Sequence, residues 1–168
     1  MPADWTSLFH FGLILLAGAL MLIAAGHDVV ARTIPNKVPL LLALTGVLLR
    51  YIDKSLLMGL ACGATVFVLA AICWRRGWLG GGDVKLLGAV AIAIPPVHTA
   101  TFMLVMSMTG FFIAIAFLIG RSLGVPPGKP RPAGFAARAW RVERWRLGRG
   151  GPLPYACAIA AGGLFVLF

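Results

Sequence analysis

Negative charge is what this chain has least of. It has 168 residues, of which only five are Asp or Glu, and charged residues of both signs make up 12% of the whole. An ordinary soluble domain carries roughly a quarter charged residues. Twenty charges cannot cover a soluble surface of this size, and with 60% apolar residues and a mean hydropathy of +0.94 the chain is too hydrophobic to try. Disorder, collagen and a solvent-exposed coiled coil fall with the same figures. Cysteine is also scarce, with three residues (Cys62, Cys73, Cys157) far apart, and so are the three histidines (His10, His27, His98). Neither a CxxC nor an HxxxH spacing occurs. A zinc site and a disulfide framework therefore have no support, and no metal or other cofactor is expected. The stretch before the first apolar run has Asp4 and no basic residue, unlike a signal peptide, so that run is expected to remain as a membrane span.

What is present is a series of long uncharged runs. Trp5 to Gly26 is long enough to cross a hydrocarbon core of about 30 Å. Val38 to Leu49 is a shorter run that reaches Ile52 if Arg50 snorkels. Ser55 to Trp74 is full length. No charge occurs from Leu86 to Gly120, too far for one helix, and Pro95-Pro96 divides the stretch by removing donors and clashing with the preceding turn. The halves are read as spans from about Val84 to Ile94 and from about Thr99 to Gly120, and Pro152 to Phe168 makes the last. Runs near 20 residues are helix signals, since barrel strands are about half that length. The expected fold is all-α, a single polytopic transmembrane domain over 1–168 with about six helices.

Charge of the other sign is plentiful: 15 Lys and Arg, for a net charge of +10. In a soluble protein this would point to nucleic acid; in a membrane protein it marks cytoplasmic loops. The loops after the first, third and fifth spans hold thirteen of the fifteen basic residues, and the opposite side holds only Arg50 and Lys54. The N- and C-termini are thus expected outside, and nucleic acid is not expected as a partner. The loop over 121–151 is the one sizeable hydrophilic piece. Its Pro-rich start (Pro126 to Pro132) should be extended. From Ala133 to Leu147 a helix would set Arg138, Arg141 and Arg144 on one side and Phe135, Ala139, Trp140, Val142 and Leu147 on the other, suited to an interface with anionic lipid. A merely basic cytoplasmic loop fits equally well.

With so few acids, each can be weighed. Asp4 is at the outer terminus, Asp53 lies between Arg50 and Lys54 and reads as a surface charge, and Glu143 sits among arginines. Asp28 and Asp83 differ, since both lie at cytoplasmic ends of spans, where an ionisable group is costly and is a functional candidate. Asp83 follows Gly80-Gly81-Gly82, which permits positive φ and close backbone approach and suits a loop that must accept an extended chain. The plain alternative is a glycine turn with Asp83 as helix cap. After Asp28 comes Thr33-Ile34-Pro35-Asn36, where Pro35 is expected to stop the helix and Asn36 to cap the next. His27 is read as an interfacial histidine beside Asp28. Two carboxylates brought close share a proton, so that one can act as general base on water while the other polarises a peptide carbonyl.

These residues resemble a family. Asp28 with Ile34-Pro35-Asn36, then Gly80-Gly81-Gly82-Asp83-Val84-Lys85, then Pro154-Tyr155 and Ala160-Ala161-Gly162 look like the type IV prepilin peptidases, more narrowly the small CpaA/TadV-like class serving Flp or tight-adherence pili. The resemblance implies a GxGD-type aspartic endopeptidase of the bacterial inner membrane that cuts leaders from prepilins and pseudopilins at the cytoplasmic face. It implies Asp28 and Asp83 as the catalytic pair; Gly80, Gly81 and Gly82 are expected as contacts to substrate because of their backbone freedom. Larger members, which also N-methylate the new terminus, carry a cysteine-rich cytoplasmic segment that this sequence lacks, which puts methylation in doubt. Two other classes compete: a proton-coupled transporter using the two Asp as a relay, and a non-catalytic pilus-assembly subunit. Against the relay, both acids are expected at one end of the membrane and no inverted repeat is evident.

The orientation is directly testable. A reporter active only outside the cytoplasm should be active when fused at Phe168, and one inserted in loop 121–151 should report the cytoplasm. A cytoplasmic signal at Phe168 would mean that the run was wrongly divided at Pro95-Pro96.

Overall fold

The computed structural model describes residues 3–122 and 153–168. Those residues form six helices: α1 (Ala3–Ala31), α2 (Lys37–Ile52), α3 (Leu56–Arg75), α4 (Gly81–Ala93), α5 (Thr99–Ser122) and α6 (Tyr155–Leu167), with a 3-10 turn at Pro96–His98 before α5. The basic loop over 121–151, with the interfacial helix considered for it, lies outside the described residues apart from its first two positions. Three helices are long and apolar enough to cross a membrane: α1 over Trp5–Ala31, α3, and α5 with its leading turn over Pro96–Ile119. The other three are short, with 16 residues in α2 and 13 each in α4 and α6. At 1.5 Å per residue they reach only about 24 and 20 Å. A long helix thus alternates with a short one along the chain.

α4 lies at the centre, packed against α2, α3 and α6. Val84, Leu86, Leu87, Ala89, Val90, Ala91 and Ala93 are all buried, so the helix has no lipid-facing stripe, as expected for one that is apolar all round. α1 packs on α2 and α6, and α5 on α6. Small residues bring these backbones together, as is usual in membranes, where van der Waals contact drives helix association. A Cβ on Gly46 would come within 2.8 Å of the Ala93 backbone, and one on Gly162 within 3.0 Å of the α5 backbone at Phe102 and Met106.

The proline pair divides the long run as expected. α4 ends at Ala93, and Ile94 and Pro95 are extended, with ψ of 154° and 133°, because a residue before proline is pushed out of the α region. α1, however, runs five residues beyond the apolar run and takes Asp28 into its last turn. It stops at Ala31, where Arg32 turns left-handed with φ of 55°, ahead of the proline expected to stop it. Asn36 starts α2 without a side-chain cap bond.

The outer end also corrects the sequence reading. Arg50 does not snorkel to the surface: it is 3% exposed, and its stem lies where a Gly59 side chain would be. Asp53 is more than a surface charge. It pairs with Arg50 at 3.0 Å and with His10 of α1 at 3.1 Å. A buried guanidinium requires a counter-charge, and the Asp53–Ser55 turn supplies it while tying α1 to the α2–α3 corner.

The α2–α4 contact yields a stability prediction. Gly46→Val should lower the unfolding midpoint in detergent by the equivalent of about 1–3 kcal/mol, because the rigid Ala93 backbone cannot give way. Gly12→Ala, at a position with nothing within 4 Å of an added Cβ, should leave the midpoint nearly unchanged. Thermal unfolding of the two variants beside the parent checks this.

Candidate active site

The last turn of α1, the first turn of α4 and the first turn of α6 meet at one end of the bundle. Each contributes a different kind of group. Asp28 comes from α1 and is only 7% exposed. Its Oδ2 accepts a hydrogen bond of 3.1 Å from the backbone N–H of Ala156, in the first turn of α6. The first amides of a helix have no partner within it, and the residue in the capping position of α6 is Pro154, with no side-chain cap bond. Asp28 fills that role from 128 residues away. The positive end of the α6 dipole favours a carboxylate there.

Asp83 is held by its own helix. Gly80 is the N-cap of α4, which places Asp83 three positions on, and the Gly80 backbone amide hydrogen-bonds the Asp83 carboxylate. This is the backward half of a capping box. It needs glycine, because a Cβ at position 80 would stand 2.8 Å from Asp83 Oδ2. None of the three glycines has a positive φ; that conformation occurs nearby at Gly77, with φ of 74°. Gly81 and Gly82 already belong to α4, so the segment is a tightly packed helix start instead of the flexible loop expected. The Trp74 indole lies over Gly81 and the Ile34 side chain over Gly82. Asn36 accepts a 2.8 Å hydrogen bond from Lys85 Nζ. The Ile34-Pro35-Asn36 segment therefore braces the helix turn that presents Asp83.

The two carboxylates are close enough for the charge of Asp28 to act on Asp83. Around them, Tyr155 feels the charge of Asp83, and Arg32 and Cys157 that of Asp28. Cys157 Sγ also lies 3.9 Å from the Ala25 carbonyl, tying α6 again to α1. His27 is exposed. Asp53 is at the far end of α2, paired with Arg50 and His10. The side chains of Asp4 and Glu143 lie outside the described residues. No cluster of three potential metal ligands occurs among the described residues. An acid pair of this kind, half-sheltered from water, can hold one proton between two carboxyls and so offer a base and an acid at one place.

Asp28 and Asp83 are the acids that the sequence singled out. The α6 N-terminus was visible only as the Pro154-Tyr155 motif, without a role, since a backbone amide leaves no mark in a sequence.

The cap suggests a way to separate structure from chemistry. Asp28→Asn keeps an oxygen to accept from Ala156 and should cost little stability. Asp28→Ala leaves the α6 amide unpaired and should cost about 1–2 kcal/mol. Unfolding midpoints measured side by side should rank parent and Asn close together and Ala lowest.

One likeness bears on this site. The sequence pattern of the type IV leader peptidase family matches residues 15–118, a stretch that includes Asp28, Gly80–Gly82 and Asp83. No curated protein and no solved structure matches the chain.

Proposed function

The chain belongs to the type IV leader peptidase family, the aspartic-type prepilin peptidases, and we propose that it removes the leaders of Flp-like prepilins with Asp28 and Asp83 as its catalytic pair. The observation that carries the assignment is the meeting of these two acids, from α1 and α4, at one end of the bundle within electrostatic reach of each other. The thirteen-to-two distribution of basic residues supports placing that end at the cytoplasmic face of a bacterial inner membrane, with six helices spanning it and both termini outside.

In the proposed reaction, the ionised carboxylate takes a proton from water as the oxygen attacks the scissile carbonyl. The protonated carboxyl donates to the carbonyl oxygen as the tetrahedral intermediate forms. Collapse breaks the C–N bond: the proton taken from water passes to the departing amine, and the hydroxyl that re-forms the carbonyl returns its proton to the other carboxylate, which restores the pair. The Ala156 amide on Asp28 and the Gly80 amide on Asp83 supply fixed donors that orient the two groups before substrate arrives. Such preorganisation is where much of an enzyme's advantage lies. Gly80, Gly81 and Gly82 serve the site by letting Asp83, Trp74 and Ile34 approach, and their contact with substrate is proposed to be through backbone atoms beside Asp83.

The proton relay has less to support it. A relay needs charged groups reaching into the membrane, and among the described residues the apolar middle of the bundle holds no Asp, Glu, His, Lys or Arg. Both acids of the pair lie at one end.

The test is cleavage of a prepilin by the reconstituted protein. Asp28→Asn and Asp83→Asn should each reduce the rate by at least about 10³-fold, and the double variant should be no worse than the singles, because the pair acts as a unit. Asp4→Asn and Glu143→Gln should retain most activity. The pH–rate profile should be bell-shaped, both limbs belonging to the pair. Robust cleavage by either single Asn variant would overturn the assignment.

A further inference from the structure

α2 and α3 each pack closely on α4 but touch each other little. A strip of α4 is left uncovered between them, and an open groove of about 680 Å³ lies over it. The floor is the face of α4 that carries Lys85, Gly88, Ala89 and Ile92. It is not the face of the acid pair. Lys85 is two residues from Asp83, about 200° around a helix, and neither Asp28 nor Asp83 lines the groove. The walls present Leu40 of α2 and Ala64 and Phe67 of α3, all exposed, so the groove opens on the outside of the bundle. Its two ends differ. At one, Lys85 Nζ donates a 2.8 Å hydrogen bond to Asn36; every other lining residue is apolar. An ammonium has three donors, and the Asn36 bond uses one. In a bilayer such a hollow fills, because walls without partner atoms forfeit van der Waals contact.

We propose that this groove holds an anionic phospholipid, with one acyl chain laid along α4 between α2 and α3 and the phosphate at Lys85. Three observations favour this occupant. The groove has one polar, cationic end and an apolar remainder, the division of an amphiphile. Its floor from Lys85 to Ile92 is about 10 Å long, which fits within one leaflet of a hydrocarbon core of about 30 Å. The sign of the charge selects the headgroup. No carboxylate lines the groove. Lys37 at the start of α2 and Arg75 at the end of α3 are exposed at the same end of its two walls, and basic residues beside a membrane attract anionic lipid. A second copy of this chain fits less well, because it would bring its own basic end against this one. The occupant is independent of the peptidase reading and goes beyond it.

The experiment uses the full-length protein in liposomes of phosphatidylcholine with a minor share of phosphatidylglycerol. A photoreactive benzoylphenylalanine replaces Phe67 in the groove wall or Leu104 on α5, which is exposed outside the groove. Irradiation should join position 67 to phosphatidylglycerol about fivefold above its share of the lipid, the weight of one basic residue at a membrane surface. Position 104 should follow the bulk composition. Lys85→Gln should bring position 67 down to the bulk value, and Lys85→Arg should keep the enrichment. Ala64 is exposed on its helix, so Ala64→Phe obstructs the groove without touching the core and should cut the lipid adducts at position 67. The unfolding midpoint of each variant is measured alongside; where Ala64→Phe fails to fold, the two Lys85 variants decide. Equal enrichment at both positions, enrichment unchanged in Lys85→Gln, or adducts at position 67 to a second copy of the chain or to added prepilin in place of lipid would each overturn the proposal. None of these readouts depends on cleavage, so a failed peptidase reading and a failed lipid site are told apart.

Discussion

A carboxylate on α1 caps a helix through an amide 128 residues later, and the candidate site depends on that bond between Asp28 and Ala156. In a setting with little water, an unpaired amide and an unpaired carboxylate are each expensive. Joining them removes both penalties and fixes α1 against α6. Because α6 also packs on α4 and α5, the bond sets where the end of α1 lies relative to the start of α4, and so where Asp28 lies relative to Asp83. The same interaction that stabilises the bundle thus orients one of its two candidate catalytic groups. Stability and function are separable here only by a change that keeps the acceptor and removes the charge.

The second constraint is α4. A helix of 13 residues, with most of its side chains buried, cannot carry an acid in its middle without a large penalty. Asp83 is tolerable at the first turn, where free amides and the positive end of the helix dipole favour it. Short central helices flanked by long outer ones also leave room for polar groups at the ends of the bundle. At the opposite end the Arg50–Asp53–His10 cluster uses the same kind of space. The bundle is pinned by polar contacts at both ends and by glycine and alanine contacts between.

Much of this architecture was legible before any coordinates. Uncharged runs give helix number because an unpaired backbone is not tolerated in lipid, and the Pro95-Pro96 break appears where the sequence puts it. The acids were legible through scarcity: with five in the chain, two at helix ends near glycine and proline motifs stand out. Helix ends were less legible. The uncharged run ends at Gly26 and Pro35 was expected to stop the helix, whereas α1 ends between the two at Ala31, because a helix can carry charged residues through its last turn when one of them has a buried partner. Arg50 was expected at the surface because its partners, Asp53 three residues on and His10 on another helix, draw it inward only once the helices have packed.

What the sequence determined by itself is local and statistical. Composition dictates a membrane solvent, periodic breaks in apolar runs set the helices, and the motif around Gly80 and Asp83 sets a helix start with an acid in its first turn. Each follows from forces acting within a few residues or from the bulk cost of charge in lipid. Tertiary structure alone decided which groups meet. The capping of α6 by Asp28 and the bracing of α4 by Ile34 and Asn36 both join segments distant in the chain. They depend on a backbone amide and on packing between remote helices, neither of which a linear pattern reveals.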